Sequence, residues 1–224
     1  VLFDTFLPFA GMPVTRQIED DVLESLDRAL QSHFTAGPNS GEYYLFRNMA
    51  RFKLRSFVKA HLKDRDEPFI IKYLEERLAM QFPAGGTMVT LSGKVDRIDF
   101  VVIDYKTGGD RKQYPSGIAG KTNFLDIRSI HEHVVSFQLP VYMNIFSAAR
   151  NIPLENIDAR LIMLGKNSEE LFFKARQNKN GSLIAAYTEG IRTVIAHMLD
   201  PDEPFAAFDT RKCMECRARD LCHM

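Results

Sequence analysis

Tryptophan is absent from this chain of 224 residues, and cysteine occurs only three times, as Cys213, Cys216 and Cys222. Three cysteines crowded into the last dozen positions do not make the paired framework of a disulfide-stapled secreted domain. An excess of either charge is also missing, since 29 Lys and Arg balance 29 Asp and Glu. Any attraction for a charged partner therefore has to be local. No stretch approaches the roughly 18 apolar residues of a membrane-spanning helix, and the start lacks the basic-then-apolar layout of a signal peptide. The expectation is a cytoplasmic protein with no membrane partner. Core material is plentiful: hydrophobic residues make up 45%, enough for one large packed domain. The chain opens at Val1, without methionine, inside the apolar run VLFDTFLPFAG, and reads as part of a longer polypeptide.

Residues 15–34 place Ile18, Val22, Leu26, Leu30 and Phe34 at helical spacing, with acids early and Thr15 as a cap. Residues 43–62 give a second helical pattern, apolar at Tyr44, Phe52, Phe57 and Val58 and basic at Arg47, Arg51, Lys53, Arg55 and Lys59. The stretch 69–82 suits either a helix or a strand and is read as a strand through Glu75. Residues 87–105 read as a meander of two or three short strands. A polar loop over 108–129 carries Arg111, Lys112, Lys121 and Arg128. Then come a helix over 130–149, strands over 157–164 and 170–174, and a last helix over 183–199. The sum is an α/β domain with a mixed central sheet flanked by helices and N-terminal helical additions. Residues 1–66 form the helical part, 67–200 the core and 201–224 the cysteine-containing tail.

The most informative segment is 92–108, SGKVDRIDFVVIDYKTG. Asp96 and Asp104 stand eight residues apart, and Lys106 follows after one spacer. Their surroundings are rich in Val, Ile, Phe and Tyr, the composition of packed strands. Charges on buried strands are costly unless they pair, bind metal or do chemistry. Alternation along a strand points Asp104 and Lys106 to one side and Tyr105 to the other. Carboxylates suit hard cations such as Mg²⁺, and the backbone carbonyl of Tyr105 could add a further oxygen. Two acids with one lysine fit metal-dependent phosphodiester cleavage, in which Lys106 stabilises developing charge. The bland alternative is an exposed Asp–Lys pair on a sheet edge, worth little.

The G-x-V-D-R-I-D and I-D-Y-K-T-G segments together resemble the RecB-type branch of the PD-(D/E)XK nuclease superfamily, including AddB-like helicase–nuclease subunits and CRISPR-associated single-strand exonucleases. The resemblance implies a restriction-endonuclease-like core that uses Mg²⁺ or Mn²⁺. It makes Asp96 and Asp104 metal ligands and Lys106 catalytic. It also assigns a metal-site acid to an E-x-x-[FL] segment, matched best by Glu75 in LEERL, with Glu76 as the alternative. The family's Q-x-x-x-Y helix is matched by Gln138 and Tyr142, one turn apart on one face. These two are expected to position DNA or support the lysine. The implied activity is a DNA nuclease, exonucleolytic on single strands, acting in recombinational repair with a helicase subunit or domain. The basic residues of the second helix and of the 108–129 loop become candidate backbone contacts. The family's histidine pattern, G-x-x-x-H-x-x-L-E, has no counterpart in the chain, and the resemblance places it upstream of Val1. His33, His61, His131 and His133 are expected to be surface or loop residues. A rival reading is a non-catalytic DNA-binding module of the same fold, which typically loses the lysine or an aspartate; both are retained.

The tail spacing C-x2-C-x5-C can hold one soft metal centre. It resembles the three-cysteine element of the family's iron–sulfur members, which implies a [4Fe–4S] cluster with a fourth cysteine far upstream. Zinc with His223 as fourth ligand is the alternative. Arg211, Lys212, Arg217 and Arg219 interleave the cysteines as candidate phosphate contacts.

Overall fold

The β3–β4 hairpin organises the sheet. Its strands, β3 (Tyr73–Ala84) and β4 (Thr87–Ile98), are joined by Gly85 and Gly86 alone. Both glycines have positive φ, 57° and 74°, the conformation that a two-residue turn between twisted strands requires. The computed structural model describes residues 1–15, 18–34, 39–63, 69–99, 101–106, 121–163, 168–173 and 180–203. Within them, β5 (Val101–Lys106), β6 (Asp158–Met163) and β7 (Ser168–Phe173) complete a five-stranded sheet in the order β3-β4-β5-β6-β7. Only β5 and β6 are parallel. A parallel pair needs a crossover, and α4 (Ile127–His133) with α5 (Gln138–Arg150) supplies its helices. A separate two-stranded ribbon joins β1 (Pro13–Val14) to β2 (Phe69–Ile70).

Helices cover both faces, which gives the expected α/β architecture with a mixed sheet. On one side α1 (Leu2–Phe6), α2 (Glu19–His33) and α3 (Gly41–Lys63) bury Phe6, Leu23, Leu30 and Phe57 with Val101, Ile103 and Ile162 of the sheet. On the other, α5 and α6 (Asn180–Leu199) bury Met143, Ile145, Ile184 and Tyr187 against Val95, Val102 and Leu161. Central β5 is apolar on both sides as a result. No helix among the described residues is long and apolar enough to cross a membrane.

The hairpin has one irregularity. Pairing between β3 and β4 runs in a single register but omits Glu75 and Asp96, which stand opposite each other. On one side of the gap Leu74 packs with the N-terminal helices and Arg97 lies over the Phe6 ring at 5.7 Å. On the other, Glu76 meets Arg150 of α5 and Val95 joins the α5–α6 core. Both strands thus exchange faces at this point. Glu75 has φ 49°, and the reversal occurs where a non-glycine residue is held in the left-handed region.

Element boundaries depart from expectation in two instructive places. Helix α2 begins at Glu19, and its first residue is preceded by Ile18 with no side-chain cap, rather than by Thr15. Glu19, Asp20 and Asp21 in the first turn complement the dipole there. The single helix expected over 130–149 is two helices, α4 and α5. Pro140 lacks an N–H and its ring would strike the carbonyl of residue 136, so it is tolerated only in a first turn. Ser136 Oγ accepts the Gln138 N–H at 3.1 Å and helps start the new helix. That break puts Gln138 at the head of α5.

Helices α2 and α3 are clamped by charge. Asp27 accepts from Arg47 Nε at 2.8 Å and Nη2 at 2.5 Å, and from Arg51 Nη1 at 2.5 Å. Arg55 bonds Glu19 at 2.9 Å. Three basic residues read as strand contacts are therefore engaged within the fold. Burial raises the Asp27 pKa, but the Arg47 hydrogen bonds and the Arg51 charge outweigh it and leave the carboxyl below its ordinary value. Its stabilisation is complete above the unfolded carboxylate pKa of about 3.9 and is lost as pH falls through the folded value. Asp27→Asn is expected to cost about 1–2 kcal/mol near neutrality, read by urea unfolding. The difference from wild type should fade below about pH 4; a constant difference down to acid pH would contradict the clamp.

Candidate active site

Strand β5 delivers the central residues. Alternation aims Asp104 and Lys106 at α5 and Tyr105 at the opposite face, as expected from the sequence. Asp104 is 3% exposed. Its Oδ2 lies 2.7 Å from Lys106 Nζ. Lys106 donates to Gln138 Oε1 at 2.7 Å, and Gln138 Nε2 donates to Asp104 Oδ1 at 2.8 Å and to the Tyr142 hydroxyl at 3.1 Å. Acid, lysine and amide thus form a closed ring, and the helix start created by Pro140 closes it.

Asp96 joins from β4. The β4–β5 ladder contains only Arg97↔Ile103 and Ile98↔Val102. Beyond it the strands part, and the Tyr105 N–H, with no β4 carbonyl to reach, donates to Asp96 Oδ2 at 2.8 Å. One carboxylate is thereby anchored to the backbone between the other two charged residues. Burial pushes the Asp104 carboxyl above its usual range, Lys106 opposes the shift, and the negative charge of Asp96 adds to it. A buried carboxylate whose ionisation is opposed by burial and by a neighbouring acid suits a hard divalent cation. Asp104 Oδ2 is buried without a hydrogen bond of regular geometry, which leaves a lone pair for such an ion. Among the described residues no group of three or more His, Cys, Asp or Glu converges as a metal site.

The glutamates sit apart from the ring. Glu75 is exposed and ion-paired with Lys94, although it stands opposite Asp96 in the register. Glu76 pairs with Arg150, whose guanidinium lies 4.5 Å over the Tyr73 ring. Two of the histidines make contacts within the fold: His33 bonds Asp4 at 2.8 Å, and His133 Nδ1 lies 2.9 Å from the Ser129 carbonyl, while the side chain of His61 lies outside the described residues. Arg111 and Lys112, the three cysteines and His223 fall outside the described residues.

The sequence reading overlooked what lies behind the site. Arg97, 0% exposed, donates to Asp99 from Nε at 2.8 Å and Nη2 at 2.5 Å, and to the Tyr105 hydroxyl at 3.1 Å. Burial opposes the Arg97 charge, and Tyr105 and Asp99 more than restore it. Tyr105, the spacer between Asp104 and Lys106, is also packed edge-on against Phe57 of α3 at 6.2 Å. The signal was available: Arg97, in β4, and Asp99, just past its end, stand two apart in an apolar stretch, where unpaired charge is not sustained.

The sequence model of the PD-(D/E)XK nuclease superfamily matches residues 7–223. The chain belongs to this superfamily. Members of the PD-(D/E)XK superfamily are metal-dependent nucleases, and the Asp96, Asp104 and Lys106 arrangement has the chemistry to match. No curated protein matches the chain in sequence. A solved structure described as "Crystal structure of SSO0001" is similar at 16% identity, covering 92% of this chain and 78% of that one with a TM-score of 0.33. That superposition is too loose to refine the PD-(D/E)XK assignment.

Removing one member of the buried pair strands the other. Asp99→Ala is expected to cost about 3–5 kcal/mol in urea unfolding because it leaves Arg97 uncompensated. Replacing both residues, Arg97→Met with Asp99→Leu, should cost less than either single change. A double variant at least as destabilised as the sum of the singles would refute the pairing argument.

Proposed function

We propose that the chain is a Mg²⁺- or Mn²⁺-dependent deoxyribonuclease that degrades single-stranded DNA from an end, serving recombinational repair within a helicase–nuclease protein or complex. The observation that carries the cleavage reading is the closed ring of Asp104, Lys106 and Gln138 beside the anchored Asp96. The strand preference, the repair role and the helicase partner rest on the RecB-type motif resemblance at 92–108 and at Gln138 and Tyr142.

Asp96 and Asp104 would hold the ion, with the Tyr105 carbonyl as a neutral donor and Glu75, opposite Asp96, as the third carboxylate we assign. When bound, the cation supplies Lewis acidity at the phosphate and lowers the pKa of a bound water. Lys106 presents its ammonium where negative charge accumulates on the phosphate oxygens. Asp104 and Gln138 hold that ammonium from two sides, so it is placed before the substrate arrives. The Tyr142 hydroxyl accepts from Gln138 and keeps its own proton for a phosphate oxygen. Cys213, Cys216 and Cys222 are assigned to a [4Fe–4S] cluster whose fourth cysteine comes from outside these 224 residues.

Labelled single-stranded, duplex and circular single-stranded DNA incubated with Mg²⁺ or Mn²⁺ test the reading. Linear single strands should be degraded and circles spared. Asp104→Ala and Lys106→Ala should each slow cleavage at least about 100-fold, and Glu75→Ala should raise the cation concentration needed. Degradation that persists in both of the first two variants would sink the proposal; cut circles would leave an endonuclease. For the tail, broad visible absorbance and bound iron in an anaerobically purified longer form are expected, against zinc and no colour if the cluster assignment is wrong.

A further inference from the structure

Gly93 lies on β4, three residues before Asp96, paired with Leu78 of β3. Glycine weakens a strand interior, so its presence there calls for a reason of space or conformation. Space is the reason here. A Cβ at this position would stand 2.7 Å from Tyr142 Cε1, 3.1 Å from Tyr142 Cδ1 and 3.3 Å from Ile145 Cδ1. Real Cβ atoms essentially never approach a neighbour within 3.0 Å. Ile145 is 0% exposed and packed in the core between sheet and helices. The Tyr142 ring therefore rests on the bare backbone of β4, and its hydroxyl is fixed by Gln138 Nε2 at 3.1 Å. Gln138 in turn touches Asp104 and Lys106, at 2.8 and 2.7 Å.

We infer that Gly93 is a positioning residue of the cleavage site: its missing side chain seats Tyr142, and Tyr142 sets the amide of Gln138 that bridges the acid and the lysine. Any side chain at residue 93 displaces the ring, and the displacement reaches Lys106 through two hydrogen bonds. The kinetic consequence rests on the nuclease reading above, whereas the geometric consequence does not.

Gly93→Ala should lower kcat on a labelled oligothymidylate about 10- to 100-fold, as a misplacement of about an ångström does, with KM little changed. In a Gln138→Ala background the same change should cost less than about 3-fold more, because the two act on one path. Equal losses in both backgrounds would overturn the inference. Two further measurements need no activity. The side-chain amide resonances of Gln138 in a ¹H–¹⁵N spectrum should shift in Gly93→Ala; unmoved resonances refute the proposal. The drop in Tm caused by Gly93→Ala should largely vanish when Tyr142→Ala makes room. If Gly93→Ala alone does not fold, a folded Gly93→Ala/Tyr142→Ala double variant supports the seat, and an unfolded one overturns it. Wild-type protein that leaves DNA intact would remove the cleavage reading, while resonances and Tm still decide the role of Gly93.

Discussion

Arg97 carries a full positive charge into a place with no solvent, and much of the architecture around the site follows from meeting that demand. Desolvating a guanidinium costs several kcal/mol, which geometry and hydrogen bonds must offset. Asp99 meets it with two parallel contacts and the Tyr105 hydroxyl with a third. Such planar, forked pairing suits arginine and would not survive a change to lysine. Because Asp99 closes the β4–β5 turn and Tyr105 divides Asp104 from Lys106, satisfying one charge locks the turn and the spacer together. The acids on the other face inherit a backbone that cannot easily twist.

On that other face the electrostatics are left incomplete. Two carboxylates face a single ammonium, and Asp104 pays for its burial by holding its proton more tightly than an ordinary aspartate. A divalent cation held by these acids, as proposed above, would reverse that preference and, with Lys106, would complete the charge balance. Gln138 matters because an amide can accept from the ammonium and donate to the carboxylate at once. Neither a longer acid nor a second lysine at this position could do both.

Much of this was legible in the residues themselves. Alternation along a strand assigned Asp104, Tyr105 and Lys106 to their faces, and helical spacing put Gln138 with Tyr142. Long-range partners were harder. Nothing local tells that Arg47, Arg51 and Arg55 are occupied by Asp27 and Glu19, because those contacts join separate helices. Lys94 and Glu75 pair across strands, and the carboxylate of Glu75 is turned to that lysine although the register sets it beside Asp96. The split between α4 and α5 could have been read from Pro140, whose ring forbids the continuous helix that apolar periodicity suggested. The Arg97–Asp99 pair is two residues apart and so local, but its third member, Tyr105, comes from the next strand.

The face exchange at Glu75 and Asp96 has a temporal side. Beyond it, the hairpin belongs to the α5–α6 layer: Phe82 and Ala84 pack with Ile191, and Arg192 bonds the Pro83 carbonyl at 3.1 Å across 109 residues of chain. The hairpin that carries Asp96 is therefore clasped, through β3, by a helix synthesised long after it. A nascent chain that has already displayed both aspartates and the lysine still lacks the support that orders them. In a member of a nuclease superfamily, this order of events leaves the candidate cleavage site without its support until α6 has been synthesised.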